Sequence, residues 1–195
     1  MTVLLLLAAT WCQAQSSVGV RGGLNFSQAL VQSNGSRLDG KFRPGAVAGL
    51  YADFPLVPLF YIQPSLQYEM KGGKDKATAV KTTLGYITLP VDLLFKPAAS
   101  GLFAGAGPYA AYAVSGKQSQ GNQSPVEAPL FKGDHGLNRW DGGAHFQLGY
   151  AFRSGPQVAL HAETGLLNLS KHESGSSRQF HNFSLGATLG YDFGK

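Results

Sequence analysis

Apolar and polar residues alternate along most of the chain, and the alternation is clearest at its C-terminal end. There the apolar positions are Phe183, Leu185, Ala187, Leu189, Tyr191 and Phe193, and the positions between them hold small or polar residues. Successive side chains of a β-strand point to opposite faces of the sheet. The pattern therefore predicts a strand with one apolar face and one small, polar face, and leaves open which face points inward.

The same alternation recurs in eight segments that are separated by turn-rich stretches. They cover residues 18–28, 42–54, 59–71, 81–96, 101–116, 139–153, 157–170 and 179–193. Ordinary strands have about 5–6 residues, whereas a tilted membrane-spanning strand needs about 9–11. Every predicted strand is therefore long enough to cross a membrane.

The connections between the predicted strands alternate between short and long. Residues 55–58, 97–100 and 154–156 form tight turns, and residues 29–41, 72–80, 117–138 and 171–178 form longer polar loops. Outer-membrane barrels have this asymmetry, with short turns in the periplasm and long loops outside the cell. The prediction is an all-β fold: an eight-stranded, antiparallel, up-and-down transmembrane β-barrel with both termini on the short-turn side.

Eleven charged residues in the predicted strands fall on the non-apolar face. They are Arg21, Arg43, Asp53, Glu69, Lys71, Asp92, Lys96, Asp141, Arg153, Glu163 and Asp192. A Lys or Arg that faces lipid at mid-bilayer costs about 2–4 kcal/mol, so the distribution indicates that the apolar face contacts lipid and the polar face lines the lumen. In that lumen we expect Arg21 to pair with Glu69 or Glu163. The alternative is a soluble, lipocalin-like barrel, which would have its apolar face inside.

Aromatic residues are predicted to form two interfacial belts and to fill the lumen. The belt residues are Phe54, Phe60, Phe95, Phe152, Tyr191 and Phe193 near the short turns, and Tyr68, Tyr112 and Trp140 near the loops. The predicted lumen residues are Tyr51, Tyr61, Tyr86, Phe103 and Tyr109. Because an eight-stranded interior is just wide enough to be filled by side chains, no wide pore is expected.

Three prolines lie inside predicted strands, namely Pro64, Pro90 and Pro108. Proline has no amide hydrogen to donate, and a closed barrel has no free edge on which to place it. Each proline therefore requires a bulge or a gap in the hydrogen-bonded ladder.

The composition agrees with a glycine-rich β protein. The chain has 195 residues, of which 26 are glycine and only 14% are charged, against about 25% in typical soluble domains. The net charge of +5 comes from scattered basic residues, without the clustered basic stripe of a nucleic-acid-binding surface. No nucleic-acid partner is predicted.

The first residues predict a secretory signal peptide over 1–14, followed by a single barrel domain over 15–195. An apolar run extends from Val3 to Trp11, and Ala14 precedes a polar stretch. Cleavage at this point removes Cys12, the one cysteine of the chain. Disulfides, Cys-ligated metals and Cys nucleophiles are then excluded from the mature protein.

Four motifs resemble a known family. "VGVRGGLNFS" (18–27), "YIQPSLQYEMKGGK" (61–74), "YITLPVDLLFKP" (86–97) and "GAGPYAAYAV" (105–114), followed by a glycine-aromatic final strand, are similar to the PorT-like outer-membrane β-barrel family. The resemblance covers essentially all of the mature chain and implies an eight-stranded barrel in the outer membrane of a diderm bacterium. It implies little about activity, since some relatives are tied to protein secretion or gliding and no functional residues carry over.

Two groups of polar residues suggest other chemistry. His172 and Ser174 follow the seventh predicted strand, as in lipid A deacylases, but Gly175 stands where that family has Asn, and Asp192 is expected at the opposite end of the barrel. His161 with Glu163 and Asp141 with His145 have spacings that would allow a metal in the lumen. Polar filling of a narrow barrel is the simpler explanation.

The sequence thus predicts a monomeric outer-membrane barrel, embedded in lipid, without catalytic residues, cofactor or metal. Its expected roles are structural support, binding through the loops, or partnership with a secretion or envelope complex. The loop 117–138, with Phe131, Lys132, Asp134 and His135, is the expected partner surface. The alternatives are a soluble ligand-binding barrel and a lipid A-modifying enzyme that uses His172 and Ser174.

Overall fold

The computed structural model describes residues 16–33, 36–39, 42–74, 80–97, 100–120, 126–127, 138–167 and 179–194. Its strands are β1 (Ser17–Ser33), β2 (Ser36–Asp39), β3 (Arg43–Val57), β4 (Phe60–Lys74), β5 (Val80–Phe95), β6 (Leu102–Gln120), β7 (Val126–Glu127), β8 (Trp140–Ala151), β9 (Pro156–Gly165) and β10 (Gln179–Asp192). The predicted signal peptide, 1–14, lies outside the described residues. Within the described ranges, no helix has the length and apolar character needed to cross a membrane.

Eight long strands form a closed antiparallel barrel. They are hydrogen-bonded in chain order from β1 and β3 round to β9 and β10, and β10 pairs back with β1. The closing ladder runs from Gly19 opposite Asp192 to Gln32 opposite Gln179. The short strands β2 and β7 extend the sheet on the loop side by pairing with β1 and β6. The predicted eight-stranded up-and-down architecture is confirmed.

Several predicted boundaries are wrong; β6, for example, extends to Gln120, into the predicted loop 117–138. The predicted loop 29–41 contains the end of β1 and all of β2, because β1 continues its ladder with β10 and then folds back as a hairpin. The seventh predicted strand, 157–170, ends as β9 at Gly165. There the amides of Leu166 and Leu167 both donate to the carbonyl of Gly142, at 2.8 and 3.2 Å, so the chain turns away from the ladder.

The polar face lines the lumen and the apolar face points outward, as the distribution of charges predicted. Leu160 and Leu189 are 63% and 69% exposed, whereas Glu69 and Asp92 are each 1% exposed. This is the reverse of the arrangement that a lipocalin-like soluble barrel requires. Arg153 differs from its prediction, since it lies exposed in the turn after β8 rather than within a strand.

Aromatic side chains near the strand ends point outward, as predicted for both belts, and every predicted belt residue is exposed. On the turn side Phe60 packs against Phe95 with ring centres 5.3 Å apart. On the loop side Tyr112 meets Trp140 edge to face at 5.1 Å. These rings occupy the positions at which amphipathic aromatics anchor a barrel to the membrane surface.

The three prolines coincide with gaps in the ladders. In the β3–β4 ladder, no residues pair between the pair Tyr51 and Ser65 and the pair Phe54 and Ile62. The β4–β5 ladder has the same kind of gap between the pair Pro64 and Val91 and the pair Gln67 and Thr88. In the β5–β6 ladder, the gap lies between the pair Pro90 and Tyr109 and the pair Leu93 and Ala106. The register is the same on both sides of each gap. Pro64, Pro90 and Pro108 therefore each interrupt the pairing with the preceding strand without shifting it, which confirms the predicted gaps.

Gly186 shows why the inward face of β10 needs small residues. A β-carbon added there would lie 2.4 Å from His161 Cε1 and 2.7 Å from the backbone oxygen of Leu24. We expect Gly186→Leu to lower the free energy of unfolding by about 1–3 kcal/mol, the cost of overpacking, measured by urea titration in detergent micelles. Ala187→Leu, on the exposed face of the same strand, is the control and should change little. Equal losses in the two variants would contradict this packing argument.

Candidate functional site

The lumen is the candidate functional site, because the inward positions of the strands bring the charged and amide side chains together there. These side chains form two layers. The turn-side layer consists of Arg21, Asp53, Gln63, Asp92, Lys96, His145 and Gln147. The loop-side layer consists of Glu69, Lys71, Asp141 and Glu163, together with Tyr86 and Tyr109.

Arg21, on β1, is the central cation of the turn-side layer. Its guanidinium donates to Gln63 Oε1 at 2.6 Å and to Gln147 Oε1 at 3.3 Å. It also lies over the ring of Tyr51, with Cζ 4.6 Å from the ring centre. Arg21 is thus held by amides and an aromatic face, which leaves the carboxylates of this layer to other donors.

Asp53 joins the turn-side layer to the mouth of the barrel. It accepts a hydrogen bond from Gln63 Nε2 at 2.7 Å and forms an ion pair with Lys96. Ser17 Oγ lies within 3.5 Å of Asp53 and donates to Asp192 at 3.1 Å. These side-chain contacts therefore connect the start of β1 with the end of β10 and the end of β5 at the short-turn side.

Asp92, on β5, is the second carboxylate of the turn-side layer. It accepts from Gln147 Nε2 at 2.5 Å, and His145 Nδ1 lies 2.8 Å from its Oδ2. The same Gln147 nitrogen donates to Gln63 Oε1 at 2.8 Å. The ring of His145 in turn stacks on His161 with centres 6.1 Å apart, which leads towards the loop-side layer.

Lys71, on β4, is the buried cation of the loop-side layer. Its Nζ lies 3.0 Å from Glu69 Oε2 and forms a second ion pair with Glu163. The rings of Tyr86 and Tyr109 flank it, with centres 5.5 and 4.9 Å from Nζ. Since β9 lies across the barrel from β4 in the strand order, the Lys71–Glu163 contact spans the lumen. We call Lys71 with Glu69 and Glu163 the Lys71 clamp.

The predicted pairing of Arg21 with Glu69 or Glu163 is wrong, because both carboxylates are bound by Lys71. Glu69 and Lys71 are neighbours on the inward face of β4. Arg21 instead reaches β4 at Gln63, nearer the short turn. The sequence pattern identified the face of each charge correctly, but it did not give the height of each charge along the barrel axis.

Asp141 closes the loop side of the lumen. Its Oδ2 accepts hydrogen bonds from Tyr109 Oη at 3.4 Å and from Asn182 Nδ2 at 2.9 Å, and its Oδ1 accepts from the Gly142 amide at 2.8 Å. These bonds tie β6, β8 and β10 together. Asn182 was missed in the sequence, because it lies just before the alternating part of the last strand, where nothing marks its face.

The aromatic residues predicted to fill the lumen do so. Tyr51, Tyr86, Phe103 and Tyr109 are buried. Tyr61 is half-buried at the turn-side mouth, with Lys96 Nζ 4.8 Å from its ring centre. Together with the two polar layers, these rings occupy the interior along most of its length.

Three of the four residues considered for a metal are engaged with other partners, and the fourth, His161, stacks on His145. His145 faces Asp92 and Glu163 binds Lys71, while Asp141 is bound as described above. Across the described ranges, no three His, Cys, Asp or Glu side chains are arranged to hold a metal ion.

The remaining candidates lie mostly outside the described residues. His172 and Ser174 belong to that undescribed part, as do Phe131, Lys132, Asp134 and His135. Of the loop 117–138, the structure shows that β6 continues to Gln120 and that Lys117 pairs with Glu127 of β7. Asp192 lies at the turn side, as expected.

Comparison with known proteins places these features in context. The sequence profile of the family described as "Outer membrane protein beta-barrel domain" matches residues 13–195. The solved structure of neisserial surface protein A (NspA) superposes with a TM-score of 0.56 at 12% identity, covering 91% of this chain and 99% of that chain. The structure of Ail of Yersinia pestis, solved with the heparin analogue sucrose octasulfate, superposes with a TM-score of 0.43 at 14% identity and covers 90% of this chain and 99% of that chain. The structure of OprG of Pseudomonas aeruginosa superposes with a TM-score of 0.47 at 10% identity and covers 91% of this chain and 96% of that chain. No curated protein matches the chain in sequence.

Proposed function

The chain belongs to the outer membrane protein beta-barrel domain family, and from this membership we propose a closed, non-enzymatic barrel that binds partners through its loop side. The protein is an eight-stranded barrel of the outer membrane of a diderm bacterium. The observation that carries the proposal is the filled lumen, in which two bonded layers and four buried aromatic rings occupy the interior.

The bonding within the lumen supports a structural role for its polar residues. Asp92 and Asp53 are held by the amides of Gln147 and Gln63, and Lys71 is held by two carboxylates. Buried polar groups that satisfy one another stabilise a unique packing. Catalytic groups, in contrast, have to face a cleft that a substrate can enter.

The loop side is the surface through which we propose that partners bind. We place the chain in the PorT-like branch of the family on the four motifs quoted above, and with it a partner in a secretion or envelope complex. The loop 117–138 remains the proposed contact. Support comes from β6, which continues to Gln120 and pairs with β7, so that the sheet extends into this loop beyond the barrel.

The test compares the wild type with a variant in which residues 121–137 are replaced by a short Gly-Ser linker. Both are extracted in mild detergent from their own outer membrane. We expect both to show heat-modifiable migration on gels, because the barrel strands are unchanged. On native gels the wild type should migrate as a larger complex and the linker variant as the free barrel.

Other outcomes would contradict the proposal. A wild type that already migrates as the free barrel would argue against a bound partner. Lipid A modification that is lost in His172→Ala would favour the enzyme instead. A steady current through the wild type in planar lipid bilayers would show that the lumen is open.

A further inference from the structure

Polar side chains form a column that runs through the whole barrel. It begins at the turn-side mouth with Asp192 and Asp53, continues through Arg21 and Asp92, and reaches Asp141 beside the loops. All of these side chains are buried. A polar interior is usual for an outer-membrane barrel, and here it is continuous from the turn side to the loop side.

Between the two layers lies a middle tier whose hydrogen-bonding capacity the protein does not use. Two residues of this tier, Gln67 on β4 and Thr88 on β5, lie between the two layers. The third is His161 on β9, whose ring stacks on the ring of His145. These three side chains are each at least nine-tenths buried, at 3%, 0% and 7% exposure. Gln67 Nε2, Thr88 Oγ1 and His161 Nε2 nevertheless have no hydrogen-bond partner among the described residues.

Unpartnered buried polar atoms are costly, and in proteins they are normally satisfied by ordered water. Glu163 on β9 lies opposite Ser184 on β10 in the ladder. Glu163 Oε1 and Ser184 Oγ also have no hydrogen-bond partner among the residues that the structure describes. The middle tier is therefore lined from both sides of the barrel by groups that can bind water or a hydrated ion.

The charge of the column favours cations over anions. The described part of the lumen buries six carboxylates, those of Asp53, Glu69, Asp92, Asp141, Glu163 and Asp192. Against them stand two buried cations, Arg21 and Lys71, and the half-buried Lys96, which pairs with Asp53 at the turn-side mouth. Rings and rows of carboxylates give cation channels their selectivity.

We propose that the lumen is a closed path for small monovalent cations and that the Lys71 clamp closes it. Lys71 lies in the loop-side layer, where it connects β4 to β9 and presents its positive charge to any cation that approaches the middle tier. Release of the clamp leaves Glu69 and Glu163 facing that tier. The narrow interior restricts the path to small ions. This inference rests on the closed lumen of the proposed function.

The test measures current through single purified barrels in planar bilayers, in asymmetric potassium chloride. Lys71→Met is the first variant, used as the heat-modifiable fraction alone, because it removes the charge that closes the path. Glu163→Gln is the second variant; it keeps Lys71, which Glu69 still neutralises, so the barrel should fold and remain as silent as the wild type. We expect Lys71→Met to carry a mean current several-fold above the wild type, with a reversal potential that indicates potassium over chloride. Arg153→Met removes an exposed cation outside the lumen and should leave the current unchanged.

Each alternative result has a distinct meaning. Folded Lys71→Met barrels that are as silent as the wild type would overturn the inference, and so would a current that prefers chloride. A further change, Thr88→Val in the Lys71→Met background, should reduce the current, because it removes a hydroxyl from the middle tier. An unchanged current would show that the path does not run through this tier. A steady wild-type current would instead contradict the closed lumen of the proposed function.

Discussion

Replacing Lys71 with Met is expected to lower the free energy of unfolding by about 3–5 kcal/mol, the usual cost of removing one partner from a buried ion pair. Lys71 is 2% exposed, and it is the ion-pair partner of both Glu69 and Glu163, at 1% and 2% exposure. Without it, two carboxylates remain inside the barrel with no cation between them. Urea unfolding in detergent micelles, followed by the heat-modifiable gel band, measures the loss.

Two further variants separate the charge effect from simple loss of packing. The triple variant Lys71→Met, Glu69→Gln, Glu163→Gln removes all three charges, and we expect it to recover most of the lost stability, since neutral replacement of buried ion groups often costs little. Lys117→Met controls for the loss of a lysine at an exposed site and should change little. A triple variant as unstable as Lys71→Met would show that the side-chain volume matters and the charge does not.

The sequence was sufficient to predict the barrel because lipid imposes a strict rule on each strand. A charge is tolerated on one face alone, so Glu69, Asp92 and Glu163 mark the lumen in three different strands. The long alternating segments and the uneven loops supplied the strand number and the direction. Neither inference depends on knowing which residue touches which.

Contacts across the lumen could not be predicted, because they depend on the stagger of the strands. The alternation shows that Arg21 and Glu69 both point inward, but it gives no relative height. Arg21 meets Gln63, whereas Glu69 meets Lys71. Strand ends beyond the membrane were also hard to place. The end of β1, "ALVQS" (29–33), lies past the part that must face lipid, so its alternation weakens while its ladder with β10 continues.

Replacing Leu160 with Arg tests the lipid-facing surface directly. Leu160 is 63% exposed near the middle of β9, between Leu148 and Ala187 on the neighbouring strands. A cation at this depth should cost about 2–4 kcal/mol, because the side chain loses water without gaining a partner. The same change at Leu166, which is 67% exposed just beyond the loop-side end of β9, should cost about 0–1 kcal/mol near the membrane surface. Urea unfolding of the folded barrel in phospholipid vesicles compares the two, and equal costs at both positions would mean that Leu160 does not face the middle of a bilayer. Because neither residue faces the lumen, the difference between them depends on depth in the membrane and is independent of the Lys71 clamp.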